Sequence, residues 1–476
     1  MENKKWITAV MASALLMTTG AAGAAAAGET AKPAPKAGVK TSAYTETSTN
    51  WTVDGQQITL KTLKGGPQAL YQLADLAAAL NAKYTAVAGG VELTDSQGLH
   101  TVRVQPGSTV FQLDGAQGTF TYAPVAHKGK VYVELTPTVK ALGGELLEKN
   151  TGILSVARPE GVYGVPHFTS DGRLLVNRED AESALTLKLG NALGSYEIFA
   201  TDDRTAEYAV SADRKWGAFT DENGRLSIMN LFSGVIQPLG TDNSVKTDLV
   251  WSADGKTLYF IQGDKQEKIA KADAATGAVS SIVSDKVENK SMLRVSDDGK
   301  SALYIVNITG TATTDKEGTE ESLTVDYSKA GEQLYLIDLT AKDAKAAALT
   351  SGSDNKLYPE FWGDGAVYLS ADPEGAAPNK VKTVKKDGTA ADLNLSVEPF
   401  WLGKADGKLL VAGTTAEGTS VVFSIAEGGQ PAELYRTSGE ISEISVSADG
   451  GLAVISDGTV HWVQNGSAVQ LTRAQQ

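Results

Sequence analysis

The chain is predicted to be mainly β, with a small α+β domain followed by a seven-bladed β-propeller. Three observations carry that prediction. An aspartate-containing turn recurs about every 42 residues through the C-terminal two thirds, each copy opening onto an apolar strand. The stretch before it holds two short helical faces beside strand-like alternation. The chain has 476 residues, 42% hydrophobic and 21% charged, enough to bury substantial cores.

Composition excludes several function classes. With no cysteine there is no disulfide, thiolate nucleophile, thiolate zinc site or iron–sulfur cluster. The four histidines, His100, His127, His167 and His461, are too scattered for a histidine-rich metal centre. A net charge of −14 opposes a general nucleic-acid or anionic-membrane binder, which needs a basic face. No cofactor is expected, a carboxylate-bound divalent cation being the one exception.

Residues 1–27 carry Lys4 and Lys5, an uncharged apolar run from Trp6 to Met17, and small residues ending Ala25-Ala26-Ala27. This pattern predicts a secretory signal peptide cleaved after Ala27. The alternative, a retained anchor, is disfavoured because the Ala/Gly/Thr-rich second half is weakly hydrophobic for a membrane span. Residues 28–49 are rich in Ala, Lys, Pro and Thr and predict a flexible linker. The mature protein is expected to be secreted, extracellular or wall-associated, without membrane contact.

In residues 50–158, Asp54-Gly55 between apolar residues signals a hairpin. Leu73, Leu76, Ala77 and Leu80 form one helix face, closed by Asn81-Ala82; Leu135, Val139 and Leu142 form another, stopped by Gly143-Gly144. Helix-then-strand thus occurs twice. The segments "VDGQQITL", "LYQLADLAAALNAKY", "VRVQPGSTVFQLDG" and "GKVYVELTPTVKALGGELL" resemble the copper amine oxidase N-terminal-like, or stalk, domain of exported bacterial proteins. "LYQL" and "VELT" stand where that family usually has "VPLR"-like sequence. The resemblance implies paired hairpins with packed helices. Amine oxidase chemistry is not expected: the quinone-forming Asn-Tyr dipeptide and a three-histidine copper site are both missing from the sequence.

The seven repeats of residues 160–474 centre on Asp171, Asp213, Asp254, Asp298, Asp364, Asp406 and Asp449. Their spacings are 42, 41, 44, 66, 42 and 43, one four-stranded sheet per repeat. In six of the seven, Asp and the Gly after it supply the side-chain hydrogen bond and positive φ of a tight turn; in the second, Arg214 follows Asp213. "FTSDGRLLV", "WSADGKTLYF" and "VSADGGLAVIS" resemble the TolB-like or WSPDG-repeat propellers, with the family's proline replaced. Plain turn formation explains the aspartates better than calcium binding, since one carboxylate per loop falls short of about six oxygens. Trp251, Trp362 and Trp401 are expected to pack between blades.

Catalytic motifs are missing. There is no G-x-S-x-G elbow, HExxH helix or EF-hand, and Gly-Lys-Thr 255–257 and Gly-Lys-Ser 299–301 lack the first glycine of a phosphate loop. The sequence therefore predicts no enzyme. Three residues before the Trp251-equivalent position stand Glu207, Asp248, Glu398 and Glu443, with Glu360 adjacent in the fifth repeat. They are expected to ring an acidic channel mouth that attracts a cation or basic group. An ordinary acidic surface in an acidic protein is the competing explanation. The insertion in the fourth repeat, with Leu323, Val325 and Tyr327 alternating, is expected to overhang that mouth.

The expected function is an exported non-catalytic binding or scaffold protein whose propeller loop face contacts a protein, peptide or cell-wall polymer. The alternatives are a carbohydrate-active lyase or hydrolase using channel-mouth carboxylates, and a cation-dependent assembly factor.

Overall fold

The computed structural model describes residues 44–148, 152–201, 208–309, 311–313, 324–326, 331–341 and 345–475. The expected signal peptide, Glu207, Leu323 and Tyr327 lie outside the described residues. The chain divides into two compact units, Met1–Arg158 with Ala192–Ser195, and Pro159–Asn191 with Tyr196–Gln476.

The first unit begins with a hairpin. Strands Thr45–Val53 and Gln56–Lys64 pair along their whole length, turning at Asp54 (φ 48°) and Gly55 (φ 80°). This corrects the linker boundary: from Thr45 to Thr49 the chain is strand. The polar Thr-rich run needs only a partner to become one, and Thr47 and Thr62 join their hydroxyls across the pair at 2.6 Å. Helices α1 (Leu73–Ala79) and α2 (Leu135–Ala141) end alike. Asn81 (φ 55°) and Gly143 (φ 72°) turn left-handed, and the following amides reach back, Ala82 N to Ala77 O at 2.8 Å and Gly144 N to Val139 O at 2.9 Å. Leu73, Leu76, Ala77, Leu80, Leu135, Val139 and Leu142 all enter one core with strand residues such as Leu93 and Val102.

The second unit is mainly β and consistent with a propeller. Its described residues contain seven consecutive four-stranded antiparallel sheets, with strands A to D in chain order. Their A strands are Tyr163–Phe168, Ala209–Val210, Lys246–Trp251, Lys290–Val295, Asn355–Trp362, Glu398–Ala405 and Ile441–Val446. In the fourth sheet the insertion separates strand B (Ser301–Ile308) from strand C (Gly331–Asp338) and includes a small pair, Thr311–Thr313 with Thr324–Asp326, which places Val325 opposite Ala312.

Each B strand is apolar on both faces because each face meets a different neighbour. Leu258 and Phe260 pack toward the second sheet, whereas Tyr259 and Ile261 pack toward the fourth. Leu409 and Val411 join the fifth sheet's cluster, Leu410 and Ala412 the seventh's. Seventh meets first through Phe168 against Trp462, ring centroids 4.9 Å apart at 89°, and through Tyr163 N donating to Gly458 O at 2.8 Å.

The aspartate turns fall into two types. In the second, third and fourth sheets a serine hydroxyl donates to the aspartate two residues on at 2.7 Å, as Ser252 does to Asp254. Thr169–Asp171 and Ser447–Asp449 repeat this in the first and seventh. The serine bond holds the Asp254 and Asp298 carboxyls below their ordinary range. The fifth and sixth sheets instead close with two-residue hairpins, Gly363-Asp364 and Asp406-Gly407.

Candidate functional site

In sheets one, three, four and five a bulge interrupts strand A, and one non-glycine residue there turns left-handed: Val165 (φ 52°), Asp248 (φ 52°), Met292 (φ 51°) and Tyr358 (φ 51°). Such a residue leaves the ladder, and its amide needs another acceptor. At two bulges a carboxylate from the adjacent sheet supplies it. Met292 N donates to Asp248 Oδ1 at 2.8 Å, and Val165 N donates to Glu443 Oε2 at 2.7 Å.

The other two described acids also bridge sheets. Glu360 Oε1 accepts from Arg294 Nε at 2.8 Å, and Glu398 Oε1 accepts from Asn379 N at 3.2 Å. All four therefore join neighbouring sheets, at the third–fourth, fourth–fifth, fifth–sixth and seventh–first junctions. They do not occupy one equivalent position. Asp248 is itself the bulged residue, Glu398 precedes its bulge, and Glu360 and Glu443 follow theirs. In the fifth sheet the bulged residue is Tyr358, so an alignment on Trp362 runs one residue out of phase.

Sequence reasoning missed a lysine series. Lys246, Lys290 and Lys356 each stand second before the bulge, their side chains fully buried. Lys246 Nζ donates to Gly224 O at 3.0 Å, Ser244 O at 2.8 Å and Asp242 Oδ1 at 2.6 Å. Lys290 Nζ donates to Glu267 O at 2.9 Å, Asp285 Oδ1 at 2.7 Å and the Val287 carbonyl. Lys356 Nζ donates to Gly352 O at 2.7 Å and Asp354 O at 2.6 Å. Each ammonium is wrapped by the D–A segment, and the first two also clasp the preceding sheet's B–C loop. Burial is tolerable because an acceptor meets each donor direction. The Lys246 bond holds the Asp242 carboxyl below its ordinary range. The signal lay in the repeat itself: a lysine at strand A's start with an aspartate two to five residues before it.

His167 packs against Tyr208, ring centroids 4.3 Å apart and planes tilted by 38°, and its Nε2 is shut off from solvent without a hydrogen-bond partner. Desolvation lowers its pKa to about 4, so the ring is neutral at pH 7. Among the described residues no group of three His, Cys, Asp or Glu could hold a metal ion. A cleft of about 270 Å³ lies between the fifth and sixth sheets and includes Glu398. Val162, Val245 and Val287, 40%, 44% and 41% exposed, stand where strands A begin, Val162 on the segment that enters the first sheet and the other two on D–A segments.

No family model and no curated protein matches the chain. Solved structures do match. A prolyl endopeptidase is 15% identical over 65% of this chain and 49% of its own, with a TM-score of 0.44. An oligogalacturonate lyase in complex with manganese is 12% identical over 66% of this chain and 86% of its own, TM-score 0.45. A putative TolB from Agrobacterium tumefaciens is 18% identical over 49% of this chain and 81% of its own, TM-score 0.35. This chain thus spans about half the length of the prolyl endopeptidase. These neighbours are β-propeller proteins and include enzymes, so the expectation that this chain is not an enzyme is withdrawn. The physical reason is that side chains gathered from separate sheets leave no contiguous motif in sequence, so a missing motif is no ground for excluding catalysis.

Proposed function

We propose that this is an exported binding protein in which the seven sheets are the blades of a closed propeller. The end where the A strands begin is its contact surface for a protein, peptide or cell-wall polymer. The first unit, in this reading, is a stalk-type module that presents the propeller outside the cell. The observation carrying the proposal is that three sheets each expose a valine at this end, Val162, Val245 and Val287, whereas the more exposed Phe232 and Val235 at the opposite ends belong to a single C–D turn. Apolar exposure repeated from sheet to sheet at one end is area a partner would gain by burying. Beneath the valines the carboxylate and lysine bridges between sheets fix the loops that carry them.

The test uses the full chain. Val162→Asp, Val245→Asp and Val287→Asp, combined, are expected to abolish retention of surface-extract material by the immobilised protein. Phe232→Asp, on a C–D turn at the opposite sheet ends, is expected to leave retention intact. Equal retention by both variants would place the contact elsewhere. Export is checked by sequencing the N-terminus of protein recovered outside the cell, which is expected to start at Gly28.

A further inference from the structure

At three junctions between sheets a lysine of this chain fills the space beside the D–A segment. At the fifth–sixth junction the chain does something different. Strand register pairs Lys246 with Gln262, Lys290 with Val306 and Lys356 with Ser370, in each case second before the bulge. In the sixth sheet that register position, paired with Thr414, is Glu398. The charge is inverted, and the cleft of about 270 Å³ opens at this same place, between the fifth sheet's B–C loop and the following D–A segment.

Its walls suit the side chain that the other junctions carry internally. Val381, Leu393, Leu395 and Val397 give an aliphatic lining, and Glu398 stands exposed at the sheet end. Lys380 is paired with Asp392 at 3.0 Å, which leaves Glu398 as the excess charge. No aromatic ring lines the cleft, so it lacks the stacking platform a sugar would use.

We propose that this cleft receives a lysine side chain of a protein partner, with its methylenes along the aliphatic wall and its ammonium on Glu398. The proposal rests on the loop-face reading above and specifies the partner's chemistry. Three junctions of this fold already accommodate an ammonium in the equivalent space. The fourth supplies the counter-charge and leaves the ammonium to come from outside.

The experiment titrates the full chain with N-acetyl-Gly-Lys-Gly-amide and with the same peptide carrying Nε-acetyl-lysine, followed by NMR. The free-ammonium peptide is expected to bind at least ten times more tightly. Glu398→Gln is expected to remove that preference. Glu398→Lys should restore the internal ammonium, abolish peptide binding and raise the thermal midpoint. Equal binding of the two peptides, no binding at all, or undiminished binding by a folded Glu398→Lys protein each overturn the proposal. A surface partner that still binds Glu398→Lys but is lost from the valine variant would sink the ammonium inference alone. A partner indifferent to the valine variant would sink the loop-face reading.

Discussion

His167 and Asp248 show how one side chain can carry a measurable share of stability. The unfolded chain protonates His167 near its ordinary value of 6.5, but the folded chain holds it to about 4. As pH falls from 6.5 toward 4, the unfolded state gains a proton that the folded state refuses, and stability drops; above 6.5 this contribution is fully present. The loss is about 3 kcal/mol. His167→Phe is expected to flatten the pH dependence of urea unfolding in that window; an unchanged slope would mean another group produces it. Asp248→Ala removes the acceptor of the Met292 amide, a charge-assisted bond at a strained bulge. Its expected cost is about 1 to 3 kcal/mol in the same measurement. The acids themselves were legible as a repeated sequence feature. Their bonding across sheets was not, because bulge and acceptor lie 44 and 278 residues apart.

At the scale of the element, the start of strand A is where the fold stores its polar bonding. A loop that closes on a buried ammonium is held by several acceptors at once, which is worth more than a surface pair of the same length. Lys290→Met leaves Asp285 and the carbonyls of Glu267 and Val287 without their donor. Asp285 can turn to water, so the expected cost sits near the lower end for a broken buried pair, about 3 kcal/mol in denaturant unfolding. A cost below about 0.5 kcal/mol would show that the ammonium does not hold the loops. Acid weakens the equivalent Lys246 bridge. The Asp242 carboxyl is held below its ordinary 3.8, so its contribution is present above that pH and is lost as pH falls through the lowered folded value.

For the molecule as a whole, the propeller proposed above must satisfy its last interface as well as its first. The seventh sheet takes all its strands from the C-terminal end of the chain, and the first takes all of its own from Tyr163 onward. Among the described residues no strand is exchanged, and the two sheets meet through Phe168 on Trp462, Val165 N to Glu443, a parallel backbone bridge of Glu160 with Arg473, and the ion pair of those two side chains at 2.8 Å. A double-mutant cycle of Phe168→Ala and Trp462→Ala is expected to give a coupling of about 1 kcal/mol. Strict additivity would argue that the two ends do not depend on each other, and with it against a closed propeller.

By itself the sequence determined what local chemistry can determine. It placed the two helices and their left-handed stops, the hairpin at Asp54-Gly55, and the period whose apolar B strands require neighbours on both faces. Those are properties of residues a few positions apart, where propensity, turn geometry and side-chain alternation act directly. Tertiary structure decided the rest. The carboxylates expected at an acidic mouth bond across sheet junctions, three lysines the sequence did not single out are fully buried, and a glutamate in one lysine's register leaves a cleft. Each outcome depends on which distant acceptor arrives beside which donor, and nothing in the neighbouring sequence fixes that encounter.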